Sequence, residues 1–225
     1  MKNIHITSKK LQTSTLDKDI ALIYGTMLGD GCLSRVGKHH YFLEICGNIK
    51  DDLHFLKKIK SKLEKIRGKR IKIKKRLSLG KLEMSFSDKK TFLLFKNLGF
   101  PVGKKGTKVR IPDKFPLNLY KFIVQGYFAT DGCLVITNNN GTLYPRIEFS
   151  SISKPLLKQI LNYLNNIGMK GKLYLSHRYS NHWNDLYRIQ FNGKKNLNVF
   201  LEKIGFVNTK HLKKYRKWKS AGTVI

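Results

Sequence analysis

The sequence predicts an α+β protein made of two tandem copies of one unit, and three observations support this. First, Gly25-Thr26-Met27-Leu28-Gly29-Asp30-Gly31-Cys32-Leu33 and Gly126-Tyr127-Phe128-Ala129-Thr130-Asp131-Gly132-Cys133-Leu134 share five of nine residues in register, each after an apolar run. Second, flanking blocks recur in the same order: Glu44-Ile45, Lys50 and Leu53 against Glu148-Phe149, Lys154 and Leu157; residues 82–86 against 187–191; Leu98-Gly99-Phe100 against Ile204-Gly205-Phe206. Self-similarity in matched order marks a duplicated supersecondary unit. Third, helical and alternating periodicities are interleaved within each half, so helices and largely antiparallel strands are mixed. The chain divides into an extension (1–16), a first unit (17–100), a linker (101–117), a second unit (118–206) and a basic tail (207–225).

Residues 17–28 carry Ile20, Ile23, Tyr24, Met27 and Leu28 at helical spacing, with Thr15 or Asp17 placed to cap them and residues 29–31 to stop them. Residues 41–46 follow as a strand, 50–67 as a basic amphipathic helix, 70–77 and 81–86 as a hairpin turning near Gly80, and 88–97 as a helix. The second half repeats the order: helix 119–129, strand 144–149, helix 154–167, hairpin strands 171–176 and 186–191, helix 194–204. Residues 101–112, rich in Gly, Pro and Lys, make a surface linker so short that the halves must pack side by side. In the tail, residues 210–219 suggest a short basic helix docked by Tyr215 and Trp218.

The chain's 225 residues, 41% of them hydrophobic, suffice for a packed core, which excludes a disordered chain. Forty-five Lys and Arg against 14 Asp and Glu leave a net charge of +31, a self-repulsion that points to a polyanionic partner, nucleic acid first. Three cysteines, Cys32, Cys46 and Cys133, give neither a disulfide framework nor a zinc ribbon; Cys32 and Cys133 are expected as small buried residues at equivalent places. His177 and His182 lack the second ligand pair of a zinc site. No apolar stretch is long enough to span a bilayer and residues 1–4 are no secretory signal, so a soluble intracellular protein without membrane contact is expected.

Two groups of residues could carry chemistry. Gly25 and Gly29, like Gly126 and Thr130, are four apart, so each motif helix presents a small-residue stripe; helices meeting along such stripes would set Asp30 and Asp131 side by side at their C-terminal ends. Two carboxylates, the negative helix poles and free terminal carbonyls would attract a hard cation, with Mg²⁺ expected. The glycine after each acid is expected to supply left-handed backbone at the helix stop. Asp-Gly is a common turn dipeptide, but two turns need not both follow a tightly packing apolar helix. In the strands, Arg70, Lys72 and Lys74 alternate with isoleucines, and Lys170, Lys172 and Tyr174 alternate with Gly171 and Leu173 beside Arg188 and Gln190, with Arg146 on a neighbouring strand. Such a face, with Glu83 and Glu148 as its main acids, suits the DNA major groove better than plain solvent.

The paired motifs over residues 20–33 and 122–134 resemble those of the LAGLIDADG homing endonucleases in their single-chain, two-repeat form, and the repeat order extends the resemblance over nearly the whole chain. The resemblance implies two αββαββα repeats forming a pseudo-twofold saddle of antiparallel sheets over double-stranded DNA, with packed motif helices at the centre. It implies cleavage of one phosphodiester per strand across the minor groove, leaving short 3′ overhangs, with Mg²⁺ or Mn²⁺ on Asp30 and Asp131 and on the Gly29 and Thr130 carbonyls. It also implies lysines near the scissile phosphates, for which Lys104, Lys105 and Lys210 are candidates, and water-ordering groups, for which Gln190 and Ser85 are weaker ones. The second motif has Ala129-Thr130 where the first has Leu28-Gly29, which spares the acid. The chain does not resemble an intein, having neither a splicing nucleophile at its start nor His-Asn at its end, so a free-standing intron-encoded enzyme is expected, located wherever the host intron resides. Within the same family, an RNA maturase acting on the host intron and a non-catalytic DNA-binding regulator are the alternatives.

Overall fold

The computed structural model describes residues 16–178 and 184–221. The first unit runs α1 (Lys18–Asp30), β1 (Gly31–Val36), β2 (His40–Asn48), α2 (Leu53–Arg67), β3 (Lys74–Arg76), β4 (Lys81–Ser87) and α3 (Lys89–Asn97). The second runs α4 (Leu117–Asp131), β5 (Gly132–Asn139), β6 (Thr142–Ser151), α5 (Lys154–Asn166), β7 (Gly171–His177), β8 (Leu186–Asn192) and α6 (Gly193–Lys203), and α7 (Thr209–Ala221) follows. Each unit is αββαββα, and its four strands form one antiparallel sheet, ordered β1-β2-β4-β3 and β5-β6-β8-β7.

Asp17 opens α1, its Oδ1 accepting from the amides of Asp19 (2.9 Å) and Ile20 (2.8 Å), which satisfies donors that the first turn leaves free. Thr15, the other expected cap, lies outside the described residues. All of Ile20 to Leu28 is buried, as expected of a helix apolar on every side. It packs along α4, where Ile123, Val124 and Gly126 to Ala129 are buried. The flanking helices are amphipathic instead: Phe55, Leu56, Ile59 and Leu63 of α2, and Leu156, Leu157, Ile160 and Leu164 of α5, face the sheets. Tyr215 and Trp218 dock α7 on the body, Trp218 Nε1 donating to Leu143 O at 3.2 Å.

Four expectations are corrected. Strands β1 and β5, implied by the αββαββα order although no residue pattern marked them, arise because the chain passes from each motif helix into extended backbone without a turn. Gly31 (φ −99°, ψ 158°) and Gly132 (φ −85°, ψ 155°) are therefore not left-handed. Space requires glycine there: a Cβ on Gly31 would fall 2.4 Å from Met27 Cα, and one on Gly132 2.1 Å from Phe128 Cδ2. The strand expected over residues 70–77 shrinks to Lys74–Arg76 and a 3₁₀ turn (Leu77–Leu79), since the Ile71 amide donates to Glu64 Oε1 of α2 (2.7 Å) instead of to β4. Its alternation persists, with Ile71 buried and Arg70, Lys72 and Lys74 exposed. Cys32 is half-buried and Cys133 exposed, because their strand positions point to the outer sheet faces. The linker is more than a surface strap: Ile111 and Phe115 enter the core, and Gln159 brackets Ile111 through both its backbone N–H (2.8 Å) and C=O (2.9 Å). Among the described residues no helix is long and apolar enough to cross a membrane.

Candidate functional site

The centre of the molecule is the crossing of α1 and α4. A Cβ on Gly25 would stand 2.0 Å from Ile123 O, one on Gly126 2.2 Å from Leu22 O, and one on Gly29 2.0 Å from Thr130 Oγ1. Side chains at these positions would force the backbones apart, so the small-residue stripes set how closely the helices approach. Asp30 and Asp131 are the last residues of the two helices, and a Cβ on Gly29, next to Asp30, would fall 3.1 Å from the Asp131 carboxyl carbon.

Both carboxyls reach solvent, yet protein crowds them on most sides. Burial and then the neighbouring Asp30 charge push the Asp131 carboxyl up to about 6, with Lys105 and Lys210 opposing. Asp30 is also raised, chiefly by burial; Lys105 opposes this and Asp52 adds to it. Tyr127, whose hydroxyl donates to Ser150 O (3.0 Å), also lies against the Asp131 carboxyl.

Of the three candidate lysines, two stand here. The Lys105 ammonium donates to the carbonyl oxygens of Met27 (3.2 Å), Leu28 (2.9 Å) and Gly29, covering the C-terminal pole of α1. Burial lowers its pKa, while Asp131 and Asp30 hold it up. Lys210 bonds Asp52 Oδ1 at 3.2 Å, and its charge reaches both motif acids. Lys104 is exposed, and its neighbour Lys105 takes the inward place. The Gly29 carbonyl therefore already accepts a cationic donor. Thr130 is half-buried, its hydroxyl donating to Tyr127 O at 2.9 Å. Two carboxylates beside helix-end carbonyls that already hold an ammonium suit a hard divalent cation in charge and donor type. Among the described residues no group of three or more His, Cys, Asp and Glu gathers at one point.

The outer sheet faces carry the expected polar rows. Strand register aligns Lys172, Gln190, Glu148 and Cys133 in one row and Tyr174, Arg188 and Ser150 in the next, with Arg146 opposite Asn192 and Val135. Lys170 is exposed just ahead of β7. Glu148 is buried under its partners Arg146 Nε (2.5 Å), Gln190 Nε2 (3.1 Å) and Arg188 Nη1 (3.7 Å). In the first sheet Ser85 aligns with Glu44 and Cys32, and Lys74 with Glu83 and Cys46, with Arg76 holding Glu83 at 3.1 and 3.2 Å. Glu44 is thus a third acid on these faces, not expected from the sequence.

Residues 119–205 match the family model of the LAGLIDADG-like domain. No curated protein matches the chain by sequence. Among solved structures, I-DmoI in complex with DNA and Ca superposes with a TM-score of 0.57 at 19% identity, covering 83% of this chain and 88% of that one. The LAGLIDADG homing endonuclease I-LtrWI bound to target DNA gives 0.61 at 16% identity, covering 90% and 89%. The meganuclease I-AabMI bound to uncleaved DNA gives 0.60 at 15%, covering 91% and 90%. The chain has the two-repeat LAGLIDADG fold.

Beside the LAGLIDADG helices lie polar residues that the sequence did not single out. Asp52 is 5% exposed and Asn208 0%. The Asn208 amide donates to Asp52 Oδ1 (2.7 Å) and Ala129 O (2.9 Å), tying the segment after α6 to the first repeat and to the end of α4. Asp52 and Asn208 are 156 positions apart, and no local pattern signals such a pairing.

Proposed function

We propose that the chain is a site-specific double-stranded DNA endonuclease that hydrolyses one phosphodiester in each strand of a long target, with Asp30 and Asp131 holding Mg²⁺ or Mn²⁺. The observation that carries the reading is the glycine-set crossing of α1 and α4, which ends in two carboxyls at one place on a strongly basic two-sheet protein. The structural relatives bound to DNA, one of them with Ca, support it.

In this reading the repeats, 17–100 and 118–206, each lay a sheet in the major groove on one side of the cut. Lys72, Lys74, Arg146, Lys170, Lys172, Tyr174, Arg188 and Gln190 contact bases and phosphates, with Arg70 beside them. Asp30 and Asp131, with the Gly29 and Thr130 carbonyls nearby, hold the ion, which supplies Lewis-acid activation of the scissile phosphodiester and of the attacking water. Lys105 and Lys210 offset the charge that builds on the phosphate oxygens, and the crowding that raises both motif acids also strengthens this interaction. Gln190 and Ser85 order water along the outer-face rows that they share with Glu148 and Glu44. One chain supplies both halves, so the enzyme acts as a monomer wherever its host intron resides.

The test is to incubate the protein with a randomised duplex library in Mg²⁺ and sequence the ends produced. Staggered ends clustering at one long sequence support the reading. Tight DNA binding with no cut ends would sink it in favour of a regulator; preference for intron RNA with no cut ends would favour a maturase.

A further inference from the structure

Asp52 occupies the N-cap position of α2 but does not cap it: its backbone is helical (φ −101°, ψ −1°) and its carboxylate makes no hydrogen bond to the first turn. Aspartate ordinarily serves that position by accepting from the turn's free amides. The N-cap of the corresponding helix α5, Ser153, does so, accepting from Leu156 N at 3.3 Å. The Asp52 carboxylate is used elsewhere: Oδ2 accepts from Asn48 N (2.8 Å), while Oδ1 takes the Asn208 amide (2.7 Å) and the Lys210 ammonium (3.2 Å). Asn208 completes the loop by accepting from Lys210 N at 3.1 Å. Gly47 leaves the room for this arrangement, since a Cβ there would sit 3.0 Å from Asp52 Cβ.

A buried carboxylate whose charge also bears on Asp30 is costly unless it is paired, and removing one partner leaves the rest uncompensated. Asp52 therefore has a reason to be there that helix capping does not supply. We infer that Asp52 is a positioning residue, which through Asn208 and Lys210 holds the tail-borne ammonium against the Asp30–Asp131 pair. Lys105 needs no such holder, because the carbonyls ending α1 fix it directly. The two lysines thus reach the centre by different means, one on backbone and one on a side-chain bridge between the first repeat and the tail. The inference rests on the endonuclease reading and deepens it.

The experiment is a double-mutant cycle of Asp52→Asn and Lys210→Met in the full chain. It measures single-turnover cutting of each strand of the selected duplex at saturating enzyme, duplex affinity in Ca²⁺, and melting temperature. Each single change should slow cutting about 10- to 100-fold, as outer-shell partners do, with affinity changed less than about threefold. The double variant should be no slower than the slower single, because both remove one device. Nicked duplex should accumulate more than with wild type, since Lys105 is untouched. Effects that multiply, or rate losses that follow losses of duplex affinity, would overturn the inference and leave the endonuclease reading intact. A wild type that cuts nothing overturns both. Should Asp52→Asn melt too low for rates to be read, Asp52→Glu carries the same cycle, because it keeps the charge but shifts it by one methylene.

Discussion

Gly25 stands directly on the carbonyl of Ile123, with no room for a single added carbon: a Cβ would lie 2.0 Å from that oxygen. Gly126 stands in the same way on Leu22 O, at 2.2 Å. These two reciprocal contacts fix the distance between α1 and α4 and so the separation of the acids at their ends. Gly25→Ala or Gly126→Ala should therefore cost about 1–3 kcal/mol, as overpacking does, and lower the melting temperature by roughly 2–4 °C per kcal/mol. Either change should also slow DNA cutting at a temperature where the variant remains folded. Calorimetry with a cleavage assay checks both.

Asp30→Asn and Asp131→Asn should each reduce cutting by about 100- to 1,000-fold or more, the scale seen on losing one preorganised electrostatic group. Duplex affinity in Ca²⁺-free buffer should hold or rise, because a negative charge near phosphate is removed. Gel-shift and cleavage assays on the same preparations separate the two effects. Persistent cutting by the double variant would place the chemistry elsewhere.

Association with DNA should weaken steeply with salt, since counterions are released from each phosphate met by a Lys or Arg. Lys172→Ala should reduce the slope of log K against log salt by about 1 and weaken all sequences alike. Arg188→Ala, which removes one partner of Glu148, should instead alter base preference within one half-site, as library selection would reveal.

Stability should fall in mild acid through His211. This imidazole is 4% exposed and packs 4.6 Å from the Phe128 ring. Burial and then the Lys210 charge lower its pKa from 6.5 to about 4. Because the folded form resists a proton that the unfolded chain accepts, the His211 contribution is complete above about pH 6.5 and is lost as pH falls to about 4, a difference of about 3 kcal/mol. Denaturant titrations at pH 7 and 4.5 should show a shallower loss for His211→Gln than for wild type.

What the sequence revealed, and what it hid, follows from how local each constraint is. The duplicated acids and the small residues four apart were legible because close helix packing imposes its demand on the helix's own residues, Gly25, Gly29 and Gly126. Alternation betrayed the outer face of β7 and, in residues 70–74, a basic row that survived although most of the strand did not form. Strands β1 and β5 escaped because each begins at a glycine that looks like a stop but serves only to clear Met27 or Phe128. Lys104 and Lys105 are adjacent in an irregular linker, where nothing in the pattern says which one turns inward. Nothing in the local pattern singled out Asp52, and only the fold brings Asn208 and Lys210 to it.

Crystals of the protein with its selected duplex, grown with Mn²⁺, would show by anomalous scattering where the ion sits. The expected result is a peak within ligating reach, about 2–2.5 Å, of carboxylate oxygens from both Asp30 and Asp131, beside the scissile phosphates. Ions bound elsewhere, or the two acids turned away from the duplex, would contradict the assignment of this helix crossing as the catalytic centre.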